Sequence, residues 1–365
     1  MRLRVLGAAV LAVAALPSPG AAFPGSARWG YANCRSCHFN AGGGGILTPY
    51  GRQLSRELLS TWGGEKEAEF AYARVALPAW LSLGGDATLL RSSHGARDSD
   101  AVHLLNADLE MAVCHRRFLA VASVGARPQQ NRFGVDGATS RRHFVQYDLT
   151  PTWSLRAGRF LPNYGVWNGD LSVATRTGLG WDENATSYNL ELNRVAERVS
   201  GALTLIGGRL DVEGDERERG GAASMSFFFA GKRRVGLGLL ATRRGRRARR
   251  AAGLHAVLGI GTHAYLLAET DVQRRASPGT DATWEAFSNW CFARETVKGL
   301  YVLVVDEMSR PRVGHAGRLS HSYGAALRWF PRPHFEMQLR WRRRDRDAIS
   351  PDYMDGLSTF VRFYP

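Results

Sequence analysis

Cysteine is scarce in this chain: only four occur among 365 residues, and Cys114 and Cys291 each lie far from any other cysteine. An isolated cysteine cannot form half of a C-x-x-C motif, which limits such motifs to one. Helical periodicity is also lacking after about Ala73, and this excludes a mainly α-helical chain. The sequence therefore predicts a chain dominated by strands, preceded by an N-terminal region of different character.

The N-terminal residues 1–22 have the three parts of a secretory signal peptide. Met1-Arg2-Leu3-Arg4 is basic, Val5 to Leu16 is almost entirely apolar, and Gly20-Ala21-Ala22 supplies small residues for cleavage. The apolar part is too short to span a bilayer. We therefore predict an exported protein whose mature chain starts near Phe23.

The other two cysteines lie in Cys34-Arg35-Ser36-Cys37-His38, the C-x-x-C-H spacing of covalent c-type haem attachment. Thiols at this spacing reach two vinyl groups on one porphyrin edge, and the following histidine falls beneath the iron. We expect Cys34 and Cys37 to hold one haem c, with His38 as the proximal iron ligand. A zinc site would need a second Cys/His pair nearby, and none follows in the adjoining sequence.

The region around this motif, residues 23–65, is too short to enclose a porphyrin. It contains the glycine run Gly42 to Gly45, one predicted helix near residues 50–61, and neither His nor Met beyond His38. Chains below roughly 40 residues rarely form a sufficient core by themselves. Another part of the molecule must therefore enclose the haem.

Stretches of alternating apolar and polar residues fill the remainder, residues 66–365. Phe335, Met337, Leu339 and Trp341, for example, alternate with charged or amide residues. This two-residue period is typical of strands with two different faces. It predicts about sixteen strands between residues 79 and 364, each of roughly the 9–11 residues that cross a bilayer when tilted.

The joints between these strands are alternately long and short. Long polar joints include residues 128–140, 162–185 and 244–250, whereas short ones include His115-Arg116 and Ala196-Glu197. This rhythm is typical of outer-membrane barrels, which have long external loops and short periplasmic turns. We predict an all-β fold: an antiparallel transmembrane barrel of about sixteen strands, its lumen plugged by the short cytochrome c segment. A secreted β-sandwich or propeller is the alternative, although no blade-like repeat is visible.

One face of the predicted strands is polar and is expected to line a water-filled lumen. Aromatic residues near strand ends are predicted to form interfacial girdles. Cys114 and Cys291 fall on strands far apart around the ring, so no disulfide is expected between them. The predicted lumen residues are Asn106, Asp108, Glu110, Gln146, Asp148, Arg156, Glu191, Glu285, Arg328, Glu336, Arg340 and Arg342, and the predicted girdle residues are Trp80, Trp153, Trp329, Phe330, Phe363 and Tyr364.

The order of these parts resembles the fused monohaem cytochrome–porins of bacteria that exchange electrons with extracellular iron. The matching residues are Cys34, Cys37 and His38, the preceding Ala27-Arg28-Trp29-Gly30-Tyr31 and the following Tyr50-Gly51-Arg52. The resemblance implies an iron-oxidising outer-membrane cytochrome–porin, or a closely related haem–porin group, with the cytochrome segment as a conductive plug in the barrel mouth. It also implies periplasmic cytochromes, and iron as the extracellular donor or acceptor, as partners.

The motif leaves the second axial ligand of the iron open. Met111, Met225 and Met337 fall on the apolar faces of their strands, whereas His255 is predicted to point inward. His255 is therefore the candidate distal ligand, with an ordinary polar lumen residue as the alternative reading of this position. Five-coordinate iron, or iron that binds water or a backbone donor, is the other alternative.

The net charge is +15, and the densest basic run is Arg243 to Arg250 in a predicted external loop. An exported barrel does not meet cellular nucleic acid, so no nucleic-acid partner is expected. Arginine suits the phosphates of outer-membrane lipid and lipopolysaccharide as a bidentate donor; a merely solvated loop is the alternative. The long joint 162–185 is predicted to fold inward and cover the haem.

Three functions are compatible with these features. The main prediction is an electron relay between an extracellular donor or acceptor and periplasmic carriers. The alternative is a passive or gated outer-membrane porin whose haem-bearing segment is a plug or sensor. A peroxidase-like enzyme ranks last because it needs a distal histidine, which residues 39–65 lack. We expect an electron carrier rather than an enzyme and assign no catalytic residue.

Overall fold

The computed structural model describes residues 25–29, 34–40, 43–93, 101–128, 135–166, 173–181, 185–229, 232–313, 319–345 and 356–364. The predicted signal peptide 1–22 lies outside these residues.

The described chain contains seventeen antiparallel strands in one closed sheet. Strands that follow one another in sequence pair, except for β4 and β5, and β1 pairs with both β2 and β17, which closes the ring. The strands are β1 (Leu81–Ser93), β2 (Ala101–His115), β3 (Phe118–Pro128), β4 (Val135–Thr139), β5 (His143–Asp148), β6 (Trp153–Phe160), β7 (Ser187–Val195), β8 (Val199–Gly208), β9 (Arg219–Phe229), β10 (Arg233–Arg244), β11 (Arg247–Ile260), β12 (Ala264–Ala276), β13 (Thr283–Val297), β14 (Leu300–Val313), β15 (Ser320–Trp329), β16 (Phe335–Arg344) and β17 (Gly356–Phe363).

Strands β4 and β5 share one place in the ring. Both pair with β3: β4 along its second half and β5 along its first half. The barrel therefore has sixteen positions, which confirms the predicted strand number. Strand β4 was not predicted, because its sequence Val-Asp-Gly-Ala-Thr lies within the joint expected at residues 128–140.

The two ends of the barrel differ in their connections. At the turn end the strands are joined by short segments such as residues 116–117 and 298–299. At the opposite loop end most joints are longer, and 162–185 is the longest of them. The prediction of a long joint at residues 244–250 is wrong. Strands β10 and β11 extend through the arginine run and are connected by a two-residue turn, Gly245-Arg246. Gly245 adopts φ +56° there, as a tight hairpin requires.

Helices are few and short among the described residues. Helix α1 (Pro49–Leu54) continues as a π turn, Ser55–Leu59, and helix α2 (Ala174–Gly178) lies in the long loop. Further 3-10 turns cover Gly25–Trp29, Cys34–Ser36, Glu65–Ala68 and Phe70–Ala73. No described helix is long and apolar enough to cross a membrane.

The predicted alternation of faces is present in the structure. Outward positions carry exposed apolar side chains, such as Leu109, Leu205, Leu254 and Val304, and form an apolar belt. Of the predicted girdle, Trp80, Trp153 and Phe363 are exposed at the turn end. Phe330 and Tyr364 are the exceptions: Phe330 is buried, and both face a cavity inside the barrel.

The inward face is polar but largely buried, because other parts of the chain fill the lumen. Its charges are neutralised in pairs, so that few desolvated charges lack an opposite one. The pairs within the wall are Asp86–Arg362, Asp108–Arg141, Glu110–Arg142, Glu191–Arg156, Glu307–Arg342 and Glu336–Arg328. The expected water-filled bore is thus narrowed where these groups lie.

Glu191→Ala should destabilise the barrel by about 3–5 kcal/mol, because it leaves the fully buried Arg156 guanidinium without its carboxylate. Asp211→Ala is the matched control. It breaks the exposed Arg209–Asp211 pair, whose side chains are 38% and 46% exposed, and should cost less than about 1 kcal/mol. Urea unfolding of the refolded proteins in detergent measures both free energies. Equal effects would show that the buried pairs do not hold the wall.

Candidate functional site

Most of the described residues that precede β1 lie inside the barrel at its turn end, and residues 62–66 are exposed at the opening. We name the described residues 25–29, 34–40 and 43–73 the lumen segment. Its Arg35 pairs with Asp148 at 2.5 Å, and the backbone N–H of Ile46 donates to Glu110 Oε2 at 2.6 Å. Near the opening, the N–H of Thr61 donates to the carbonyl of Phe330 at 2.8 Å. The segment is therefore held by strands on several sides of the ring.

Arg28 anchors the first described residues of this segment. Its side chain is fully buried, pairs with Glu295 at 2.7 Å and donates to the hydroxyl of Tyr301 at 2.5 Å. The guanidinium also stacks on Trp29, and its Cζ atom lies 3.8 Å from the centroid of the tryptophan ring. A buried charge with three such contacts fixes the position of the chain just before the cysteine motif.

The cysteine motif forms one tight turn. The N–H groups of Cys37 and His38 both donate to the carbonyl of Cys34, at 3.2 and 2.9 Å. The chain then returns, and the N–H of Thr48 donates to the carbonyl of Cys37 at 2.9 Å. Thr48 also caps helix α1, since its hydroxyl accepts from the N–H of Gly51. Cys34, Cys37 and His38 are thereby brought to one side of this helix.

A cavity lies between the cysteine motif and the barrel wall. The space free of atoms measures about 1010 Å³, including the part that is open to solvent. It is bounded by Cys34, Cys37 and His38, by other residues of the lumen segment, and by residues of the barrel wall. The lumen segment contributes Leu47, Leu54 and Leu59, and the barrel contributes Asp86, Arg328, Phe330, Glu336, Arg362 and Tyr364.

The environment of His38 suits a metal ligand. Its Nδ1 lies 3.4 Å from the carbonyl oxygen of Gly45. A proton held there by this carbonyl leaves the lone pair on Nε2, the arrangement of most ligating histidines. Burial, assisted by the positive charges of Arg362 and Arg142, lowers the pKa of His38 to about 4. The imidazole is therefore neutral near pH 7, the form in which histidine binds a metal.

The cavity has an apolar part and a charged part. Leu47, Leu54 and Phe330 offer contacts for a flat apolar ring. On the barrel side Arg362 Nε lies 2.9 Å from Asp86 Oδ1, and Arg328 Nε lies 2.9 Å from Glu336 Oε1. Two arginines at the edge of an apolar cavity suit a ligand that carries carboxylates. The thiols, the neutral imidazole and this lining together fit a haem c.

Close packing holds the motif against helix α1. A Cβ atom added to Gly51 would lie 2.3 Å from the carbonyl oxygen of Cys37, so only glycine fits at this position. Cys37 is itself buried, and burial raises the pKa of its thiol to about 12. Gly51 belongs to the Tyr50-Gly51-Arg52 element of the family resemblance, and this contact gives the element a steric role.

His255 lies apart from this constellation. It points inward from β11 as predicted, but Ser226 Oγ lies 3.0 Å from its Nε2, and His255 is absent from the described lining of the cavity. Met111 and Met225 are exposed on the outer face. The structure thus brings Cys34, Cys37 and His38 together without His255. The sequence analysis placed Tyr364 in the aromatic girdle and not at this site, although Tyr364 shares its strand parity with the inward-facing Arg362.

The long loop between β6 and β7 folds into the lumen, as predicted. Tyr164 donates to Asp271 Oδ1 at 2.9 Å, and the N–H of Val166 donates to Glu269 Oε2 at 3.2 Å, both on β12. Helix α2 of the same loop packs at Gly178 against Phe287 of β13. The loop thus reaches the far wall. Its described residues do not line the cavity beside His38, so they do not cover it.

Gly51→Ala should lower covalent haem incorporation strongly, because the added methyl group displaces helix α1 from Cys37. Gly64→Ala is the matched control, since a Cβ at this position meets only ordinary contacts of 3.7 Å or more. Haem-specific staining of denaturing gels, normalised to folded barrel, measures the outcome. Equal haem content in both variants would contradict the proposed packing role.

No protein-family model and no curated protein sequence matches this chain. Solved structures do match its barrel. OmpT of Vibrio cholerae, in its trimer form, has a TM-score of 0.59 at 10% identity, covering 78% of this chain and 99% of that one. Salmonella typhi OmpF in complex with daunomycin has a TM-score of 0.56 at 14% identity, covering 78% and 97%.

The outer membrane channel DcaP of Acinetobacter baumannii is also similar, with a TM-score of 0.55 at 9% identity and coverage of 78% and 97%. At identities this low, the likeness extends to the fold and no further. The chain has the fold of a porin-like antiparallel β-barrel.

Proposed function

We propose that this chain is an exported outer-membrane barrel that carries one haem c at Cys34 and Cys37 and relays electrons across the membrane. The observation that carries the proposal is the shared cavity. Two cysteines and a histidine with haem-attachment spacing border a space whose other wall is the barrel. The lumen segment is too short to enclose a porphyrin, and the barrel wall would supply the rest of the pocket.

The roles of the chain's own residues follow from the site. Cys34 and Cys37 would hold a porphyrin through thioether bonds, and His38, whose ring Gly45 orients, would offer Nε2 to the iron. Arg328 and Arg362, which Glu336 and Asp86 hold in place, would suit its carboxylates. When bound, the haem supplies one-electron redox chemistry.

Placement in the outer membrane is supported by the outward apolar belt and by the two unlike ends of the barrel. A hydrocarbon core roughly 30 Å thick blocks electrons, so a haem within the pore shortens the distance on either side. The turn end would face the periplasm and its soluble cytochromes. Iron outside the cell is the proposed donor or acceptor.

A passive or gated porin with a haem-bearing plug is the second candidate, and the comparisons favour it more directly than electron transfer. The similar DcaP is an outer membrane channel, and a solved OmpF structure holds daunomycin. The inward loop 162–185 favours it as well, since its contacts with β12 narrow the lumen as a constriction would.

Electron relay is tested in proteoliposomes that contain an oxidised soluble cytochrome c, with ferrous iron added outside. The wild-type protein should reduce the trapped cytochrome, and the double variant Cys34→Ala/Cys37→Ala should not. Cys114→Ala/Cys291→Ala is the matched control and should behave as wild type, because neither cysteine lies in the motif. An inert or absent haem in vesicles that release small solutes would sink the relay and favour the porin.

Tyr164→Phe should increase single-channel conductance modestly, because it removes one of the hydrogen bonds that hold the loop across the lumen, the bond to Asp271, and leaves the bond of Val166 to Glu269. Tyr147→Phe is the control: this tyrosine lies on the outer face and is 36% exposed. Planar-bilayer recordings give both values. Unchanged conductance in Tyr164→Phe would show that this contact does not set the width of the pore.

A further inference from the structure

Four arginines lie side by side on the outer surface near the loop end. In the strand register Arg219 of β9 is directly opposite Arg243 of β10, and Arg250 of β11 is directly opposite Arg274 of β12. Each shares the outward parity of an exposed apolar residue on its own strand. These residues are Met225 on β9, Leu239 on β10, Leu254 on β11 and Val272 on β12. We name these four residues the arginine row.

Such an arrangement is unfavourable unless an anion lies against it. Side chains directly opposite on antiparallel strands have Cβ atoms about 4.5–5.5 Å apart, and like charges at these positions are destabilising. The row contains two of these pairs in succession. Between them Arg250 lies diagonally to Arg243, because Arg250 is opposite Ala241.

The arginines that point inward from the same region are treated differently. Arg244 pairs with Glu216, Arg249 with Glu218, and Arg275 with Glu285. None of the four residues of the arginine row forms an ion pair with a described residue of this chain. The inward arginines thus have carboxylate partners, whereas the outward arginines have none among the described residues. No described carboxylate neutralises the row, which leaves it available to an anion from outside the chain.

The position of the row identifies the kind of anion. Immediately towards the middle of the barrel, the same strands expose Leu239, Leu254 and Val272, which are 51%, 67% and 41% exposed. A ligand that covers both surfaces needs acyl chains for the apolar belt and phosphates for the guanidinium groups, which bind phosphate in bidentate fashion. The loop end faces the outer leaflet in the orientation proposed above.

We propose that the arginine row is a binding site for the phosphate groups of lipopolysaccharide, with the acyl chains lying on the apolar belt below. The site rests on outer-membrane placement but not on the haem. It differs from a general attraction to the basic run, because only the outward members of that run take part. Arg246 lies in the hairpin turn, and Arg247 is the first residue of β11 and has the inward parity of Arg249, so both lie outside the row.

The test uses the full-length protein in non-ionic detergent, titrated calorimetrically with diphosphoryl lipid A. Arg243→Gln/Arg250→Gln removes one arginine from each opposed pair and should weaken binding by roughly tenfold or more. Arg246→Gln/Arg247→Gln removes the same charge from the same hairpin and should change affinity less than about twofold. Dephosphorylated lipid A should bind the wild-type protein weakly.

Equal weakening in both double variants would overturn the site, because the attraction would then depend on net charge alone. Inorganic phosphate binding as tightly as lipid A would overturn the lipid assignment. Heat-modified electrophoretic mobility shows that each variant is folded before titration. Fractionation of cell membranes separates the two proposals: wild-type protein found outside the outer membrane would refute its placement, whatever the calorimetry shows.

Discussion

Charge pairing across the inner wall is the constraint on which the rest of this structure depends. The inward strand positions carry arginines and carboxylates that would need water in an open pore. Here the lumen segment and the long loop cover them, so each group must find an opposite charge or a hydrogen bond. Arg28 with Glu295, and Arg35 with Asp148, extend the same pairing to the inserted chain. Charge pairs therefore join the barrel wall to the chain segments that fill its lumen.

Most of the barrel could be predicted from the sequence, because a two-residue period and short turns are local signals. Two errors have local causes. Strand β4 was missed because Gly137 and its small or polar neighbours resemble a loop, and only pairing with β3 makes it a strand. The run at Arg243 to Arg250 was placed in a loop because of its charge, although Gly245 marks a tight hairpin.

The candidate site likewise has one part that local sequence signals predict and another part that depends on the fold. Cys34, Cys37 and His38 form a local motif and were found without a structure. Asp86, Arg328 and Arg362 come from strands at opposite ends of the chain, and they meet only because β1 pairs with β17. The spacing of these residues in the sequence does not show which two strands close the ring. His255 was chosen by parity alone, which gives the face of a strand but not its place around the ring, and His255 is not among the described residues that line the cavity.

The closing pair of β1 and β17 also limits access to the cysteine motif. Cys34 and Cys37 lie inside a ring that is complete only when these two strands pair, and the space beside them is partly open to solvent. A bulky group joined to both thiols would therefore have to be added before the strands pair, or else pass through that opening. For the proposed haem, the first route would place attachment before closure of the barrel.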